Sequence, residues 1–135
     1  MADTSTIKTL EQKRAQAAWN AVEKVVNKTD SFKPNDAEYK GLVKNAPVLI
    51  LTNGLTQTLA FFAAKKKPHH LALAAQISTW VKEQLNYNID LLPRLLAGNS
   101  ADLRLATQES LAYLQWLRRF ADAQIDKEPK EDNGG

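Results

Sequence analysis

The sequence predicts an all-α fold, a compact single-domain bundle of about six or seven helices. Small and apolar residues recur at three- and four-residue steps, most regularly at Leu103, Ala106, Ser110, Tyr113, Leu114, Leu117, Phe120, Ala121 and Ile125. The β-branched residues are scattered, and no alternating run is bounded by hairpin turns. A length of 135 residues, with 44% apolar and 24% charged side chains, suits one ordinary globular core. Residues 1–125 read as the bundle and residues 126–135 as a disordered polar tail.

The first helix is expected from Ile7 to Lys28. Gln12, Gln16, Asn20, Glu23 and Asn27 form its polar stripe, and Leu10, Ala17, Ala18, Ala21, Val22 and Val25 its apolar face, with Trp19 at the edge. A loop follows through Pro34. Asn35 with Glu38 three residues on resembles an N-cap and its capping-box partner, so a second helix starts there. Pro47 should end or kink it, because proline has no N–H and disfavours a helical residue before it. A short third helix, Pro47 to Thr52, then stops at Asn53-Gly54, where Gly54 can take a left-handed C-cap conformation.

A fourth helix spans Leu55 to Lys65. Lys65, Lys66 and Lys67 make a basic corner, and Pro68 suits the first turn of a fifth helix reaching about Leu85, with Leu73, Ile77, Trp80 and Val81 inward. Asn86-Tyr87-Asn88 turns into a short helix from Ile89 to Ala97, closed by Gly98. Asn99 or Ser100 then caps the last helix.

Composition excludes several classes. There is no cysteine, so disulfide scaffolds and cysteine-based metal sites are ruled out. The first residues lack the apolar stretch of a secretory signal, and no apolar run is long enough to span a bilayer, so a cytoplasmic protein is expected. The net charge is +3. Asp126, Glu128, Glu131 and Asp132 against Lys127 and Lys130 make the tail −2, so the body carries +5. A small basic body is compatible with nucleic-acid contact, though a modest excess of Lys and Arg is more often a solvated surface.

The chemistry-bearing residues are few. His69 and His70 are the sole histidines, and adjacent helical residues point about 100° apart, so they cannot chelate one metal as an i, i+4 pair would. They read as surface histidines at a helix start. A nucleophilic serine would need one of them as its base, and neither a Gly-x-Ser-x-Gly elbow nor a Gly-Lys phosphate loop is present. A helical ribonuclease of the HEPN class would want an arginine shortly ahead of a histidine, and upstream of His69 there is only lysine. No catalytic residue, metal site or cofactor is expected.

The basic residues divide two ways. Lys40 and Lys44 lie four apart on one helix, and Arg118 and Arg119 stand together between Leu117 and Phe120. They are either solvated and snorkelling side chains beside the core or phosphate contacts whose strength depends on salt. The aromatic residues Trp19, Trp80, Tyr113 and Phe120 fit core positions. Trp116 falls off the main stripe and marks a second, protein-facing surface.

Three blocks carry a family resemblance: Gln12 to Trp19 (QKRAQAAW), Asn45 to Phe62 (NAPVLILTNGLTQTLAFF) and Ala106 to Ile125 (ATQESLAYLQWLRRFADAQI). Together they resemble the small helical subunit of the type III-B CRISPR effector, the Cmr complex. The resemblance implies an all-α subunit without enzymatic activity, several copies of which stack head to tail as the inner filament. That filament lies beside guide RNA and target RNA, supported by a large signature subunit and by backbone subunits that cleave the target. On this resemblance Lys13, Arg14, Lys40, Lys44, Arg118 and Arg119 are the RNA-facing candidates, with the Lys65–Lys67 triplet just outside the matched block. A head-to-tail contact joins two different patches, and the Pro47–Gly54 corner and Trp116 are its candidate halves. The rival readings are a helical adaptor that binds only protein and the small subunit of the related type III-A complex.

Overall fold

Thr9 opens the first helix. Its hydroxyl accepts from the Gln12 N–H at 3.0 Å while the Gln12 side chain accepts from the Thr9 N–H at 2.8 Å, a reciprocal cap. The computed structural model describes residues 8–126, so the expected start at Ile7 and the polar tail beyond Asp126 lie outside the described residues. Six helices follow one another: α1 (Leu10–Val26), α2 (Asp36–Asn53), α3 (Leu55–Lys65), α4 (Pro68–Gln84), α5 (Leu91–Ala97) and α6 (Ser100–Gln124), with no strand among the described residues. α1 stops just short of the expected Lys28, where Lys28 takes a positive φ of 63° and the N–H groups of Thr29 and Asp30 both donate to the Lys24 carbonyl.

Asn35 caps α2 by accepting from the Glu38 N–H at 3.0 Å. The helix then runs unbroken through Pro47, so the separate helix expected from Pro47 to Thr52 does not exist. The physical reason is packing on both sides of the proline. An interior proline costs about 3 kcal/mol, but Val43 and Ile50, buried on one face before and after it, each contribute about 1.5–3 kcal/mol. Gly54 ends α2 and begins α3, with φ 88° and ψ 157°. It therefore has the positive φ expected of a glycine corner but an extended ψ, a region essentially closed to other residues. Its N–H donates to the Ile50 carbonyl, and its own carbonyl accepts from the Thr58 N–H and hydroxyl at 3.1 and 2.8 Å.

α3 has the bounds the sequence predicts, and Pro68 is the first residue of α4. Leu73, Ile77, Trp80 and Val81 are buried as expected, and so is His70, which contradicts its reading as a surface residue. α5 starts at Leu91 rather than Ile89, after Asp90 in extended geometry, and ends at Gly98. Asn99 and Asp102 form a second reciprocal cap at the start of α6. Of the expected inner positions on α6, Ala106, Ser110, Tyr113, Leu114, Leu117, Ala121 and Ile125 are buried, Phe120 is half-buried, and Leu103 is exposed in the first turn.

α6 is the hub. It packs on α1 most extensively, and also on α2, α4 and α3, with α5 closing the far side against α3 and α4. Two polar bridges cross this interior: the Tyr39 hydroxyl donates to the Gln76 carbonyl at 2.6 Å, and the Trp80 indole N–H donates to Glu109 at 2.8 Å. No helix among the described residues is long and apolar enough to cross a membrane.

Candidate functional site

The six candidate cations separate into two groups. Arg14 is held inside the α1–α6 seam: Nε and Nη2 donate to the two Glu109 carboxylate oxygens at 2.6 and 2.8 Å, and Nη1 donates to Glu11. Its side chain is 12% exposed. The hydrogen bond with Glu109 holds the guanidinium above its ordinary pKa. Burial pushes Glu109 up, but hydrogen bonds from Arg14 and Trp80 outweigh it and leave the carboxylate below its ordinary value. Lys40 is 6% exposed, and its ammonium donates to the Ile125 carbonyl at 2.9 Å. That bond ties the start of α2 to the end of α6, satisfying a carbonyl that the helix terminus leaves open.

Arg14 and Lys40 therefore correct the sequence expectation. They lie within the fold, each bonded to partners of the same chain. Lys13, Lys44, Arg118 and Arg119 are exposed, and among the described residues none of the four joins an ion pair. Lys44 stands one turn beyond Lys40 on α2, while Arg118 and Arg119 lie on the outer side of α6 beside buried Leu117.

The candidate contact patches are less alike than the sequence implies. Trp116 is half-buried, donates from its indole to Glu11 at 3.2 Å and stacks on Phe120 at 5.5 Å; Phe120 in turn meets the edge of Trp19 at 5.2 Å. It is one member of an aromatic seam between α1 and α6. Pro47 is half-buried and Gly54 exposed. Beside them, Val48 and Leu51 are 64% and 73% exposed, one turn apart on the outer side of α2. Sequence reasoning pointed to the apolar residues near this corner without singling out these two, because they sit inside an unbroken apolar run. Their i, i+3 spacing, off the face of Val43, Ala46 and Ile50, was the available signal.

Among the described residues, groups able to transfer a proton near neutral pH are not gathered at any cleft. Burial drives the hydroxyls of Tyr39 and Tyr113 far above their ordinary value and lowers both histidines. No cluster of three or more metal-ligating side chains occurs among the described residues. Exposed cations, an exposed apolar stripe and a strained glycine corner are therefore the distinguishing surface features of this small helical bundle.

The chain belongs to the CRISPR-associated Cas_Cmr5 family, whose model matches residues 10–124, from the first residue of α1 to the last of α6. A protein described as CRISPR system Cmr subunit Cmr5, from Thermus thermophilus, is 36% identical over 94 residues, covering 67% of this chain and 77% of that protein. The crystal structure of a CRISPR-associated Cmr5 family protein from the same organism superposes with a TM-score of 0.69 at 28% identity, covering 89% of this chain and all of the other.

Proposed function

We propose that this chain is a non-catalytic structural subunit of a type III-B (Cmr) RNA-guided interference complex. It stacks on copies of itself in the inner filament and touches guide and target RNA through exposed cations, acting in antiviral defence in the cytoplasm. Family membership supports assignment to such a complex. The observation that carries the RNA contact is the division of the basic residues: Lys13, Lys44, Arg118 and Arg119 stand exposed while the fold's own needs are met by Arg14 and Lys40. RNA-guided recognition leaves sequence reading to base pairing, so a subunit beside the duplex needs charge and shape rather than base-edge readers.

Head-to-tail stacking joins two different patches on successive copies. The stripe of Val48 and Leu51 beside the Pro47–Gly54 corner supplies one apolar patch, and the seam of Trp116, Phe120 and Trp19 supplies the other. The exposed stripe equally suits a purely protein-binding adaptor, and one experiment separates the two readings. Native co-purification should bring down a guide RNA together with other effector subunits. Recovery of protein partners without RNA would favour the adaptor.

A further inference from the structure

Three lysines, two imidazoles and a helix start converge at the α3–α4 corner. Lys65 ends α3, Lys66 turns the chain in the left-handed conformation at φ 57°, and Lys67 is the N-cap residue of the 17-residue α4. All three are exposed. No side chain caps α4, no acid lies in its first turn, and Pro68 has no N–H. The N–H groups of His69 and His70 thus stand at the positive end of the helix dipole without intrahelical acceptors.

The two side chains repeat the pattern. Helical Cα–Cβ bonds tilt towards the N-terminus, so both side chains leave the backbone towards that open end. His70 is 8% exposed, set edge-on against Phe61 at 5.9 Å and Phe62 at 5.5 Å, with the His69 ring 4.4 Å away. The Nδ1 atoms of both histidines are buried with no hydrogen-bond partner. A buried polar nitrogen left in this way is costly, and such groups in native proteins call for an explanation. Among the described residues Glu38 of α2 is the one carboxylate against this corner, exposed and 3.9 Å from the His69 Nδ1.

We propose that this corner binds backbone phosphate of single-stranded RNA, with Lys65, Lys66 and Lys67 over the open end of α4 and the imidazoles of His69 and His70 supplying donors. The proposal rests on the RNA-associated reading above and extends it to residues outside the four exposed cations already described. Three successive exposed lysines present a row of charge rather than an enclosed cup. A chain of singly charged phosphodiesters fits that row better than one compact phosphate does.

The site carries its own pH dependence. Burial lowers His69, with Lys67 adding repulsion and Glu38 opposing both. Burial also lowers His70, reinforced by His69, Lys65 and Lys67 against Glu38 alone. A bound phosphate adds a second negative charge, so each imidazole binds its proton more tightly in the complex. By reciprocity, RNA affinity rises as pH falls through the histidine range.

Anisotropy titrations of the full chain with a short labelled single-stranded RNA, across about pH 5.5–8 and a series of salt concentrations, test this. Affinity should rise several-fold towards acid. The Lys66→Gln, Lys67→Gln double variant should bind more weakly and lose about 0.7 of log–log salt slope per contact removed. His70→Phe keeps an aromatic ring against Phe61 and Phe62, so it should retain its melting temperature while the acid enhancement shrinks. Histidine Cε1–H resonances should titrate at higher pH with RNA present. RNA binding that neither the lysine pair nor His70→Phe alters would overturn the site and leave the RNA-associated reading standing. Absence of binding by the native chain at low salt would remove both. Histidine shifts that saturate with inorganic phosphate but not with RNA would make this a free-anion site and sink the RNA assignment.

Discussion

The α1–α6 seam and the α2–α3–α4 corner place polar groups against one apolar core in opposite ways. At the seam the half-buried charged groups are matched. Arg14 is gripped by Glu109 and Glu11, Glu109 also accepts from Trp80, and Trp116 donates to Glu11. At the two ends of α3 the groups are left open: at its start Gly54 is strained and Val48 and Leu51 face outward, and at its end three lysines are exposed and two histidine nitrogens lack hydrogen-bond partners. Cross-linking by long, paired side chains makes the seam the part that fixes the fold. The two ends of α3 have unmatched groups, so they add binding surface to the exposed cations of α1, α2 and α6.

The sharpest way to break this contrast is at Glu109. Glu109→Ala leaves the mostly buried Arg14 without its counter-ion and Trp80 without its acceptor, and should cost about 3–5 kcal/mol in urea unfolding. A loss below about 1 kcal/mol, the usual size for an exposed pair, would show that the seam is solvated and not structural. Gly54→Ala comes next. A Cβ there meets nothing within 4 Å, so the cost is purely that of the backbone conformation, about 1–3 kcal/mol. A neutral outcome would mean that the corner relaxes freely to another geometry.

Acid separates the two regions by pH. The folded histidines sit below their ordinary 6.5, so the unfolded chain takes up protons first and stability declines as pH falls below about that value, levelling off below the folded values. Glu109 sits below its ordinary 4.5, so its contribution is intact above that pH and disappears as pH falls through its lower folded value. Melting temperature against pH should therefore drop in two stages, the first absent in His69→Phe, His70→Phe. The smallest expected effect on stability is at Leu51→Ser, within about 0.5 kcal/mol because the side chain is already mostly in water. Sedimentation at high protein concentration should nonetheless show weaker self-association than the native chain.

The fold was legible where local chemistry decides it. Pro68 at the start of α4, Asn99 before α6 and the Leu55–Lys65 helix follow from capping and periodicity within a few residues. Pro47 misled because its local penalty is outweighed by burial of Val43 and Ile50, which depends on helices distant in sequence. The site suffered the same blindness. Lys40 meets Ile125 across 85 positions and Arg14 meets Glu109 across 95, so no spacing rule separates those two from exposed Lys13 and Lys44. His70 looked solvated beside three lysines, yet its ring packs edge-on against Phe61 and Phe62 from the preceding helix.

Which cations are available to RNA decides the role proposed for this chain, and salt dependence measures that directly. Single-stranded RNA affinity should be compared between the native chain and a Lys44→Gln, Arg118→Gln, Arg119→Gln variant over a range of salt. The variant should keep its melting temperature, bind more weakly, and lose about 2 units of log–log salt slope, at about 0.7 per phosphate contact. An unchanged slope and affinity in a folded variant would contradict the assignment of RNA contact to these exposed residues.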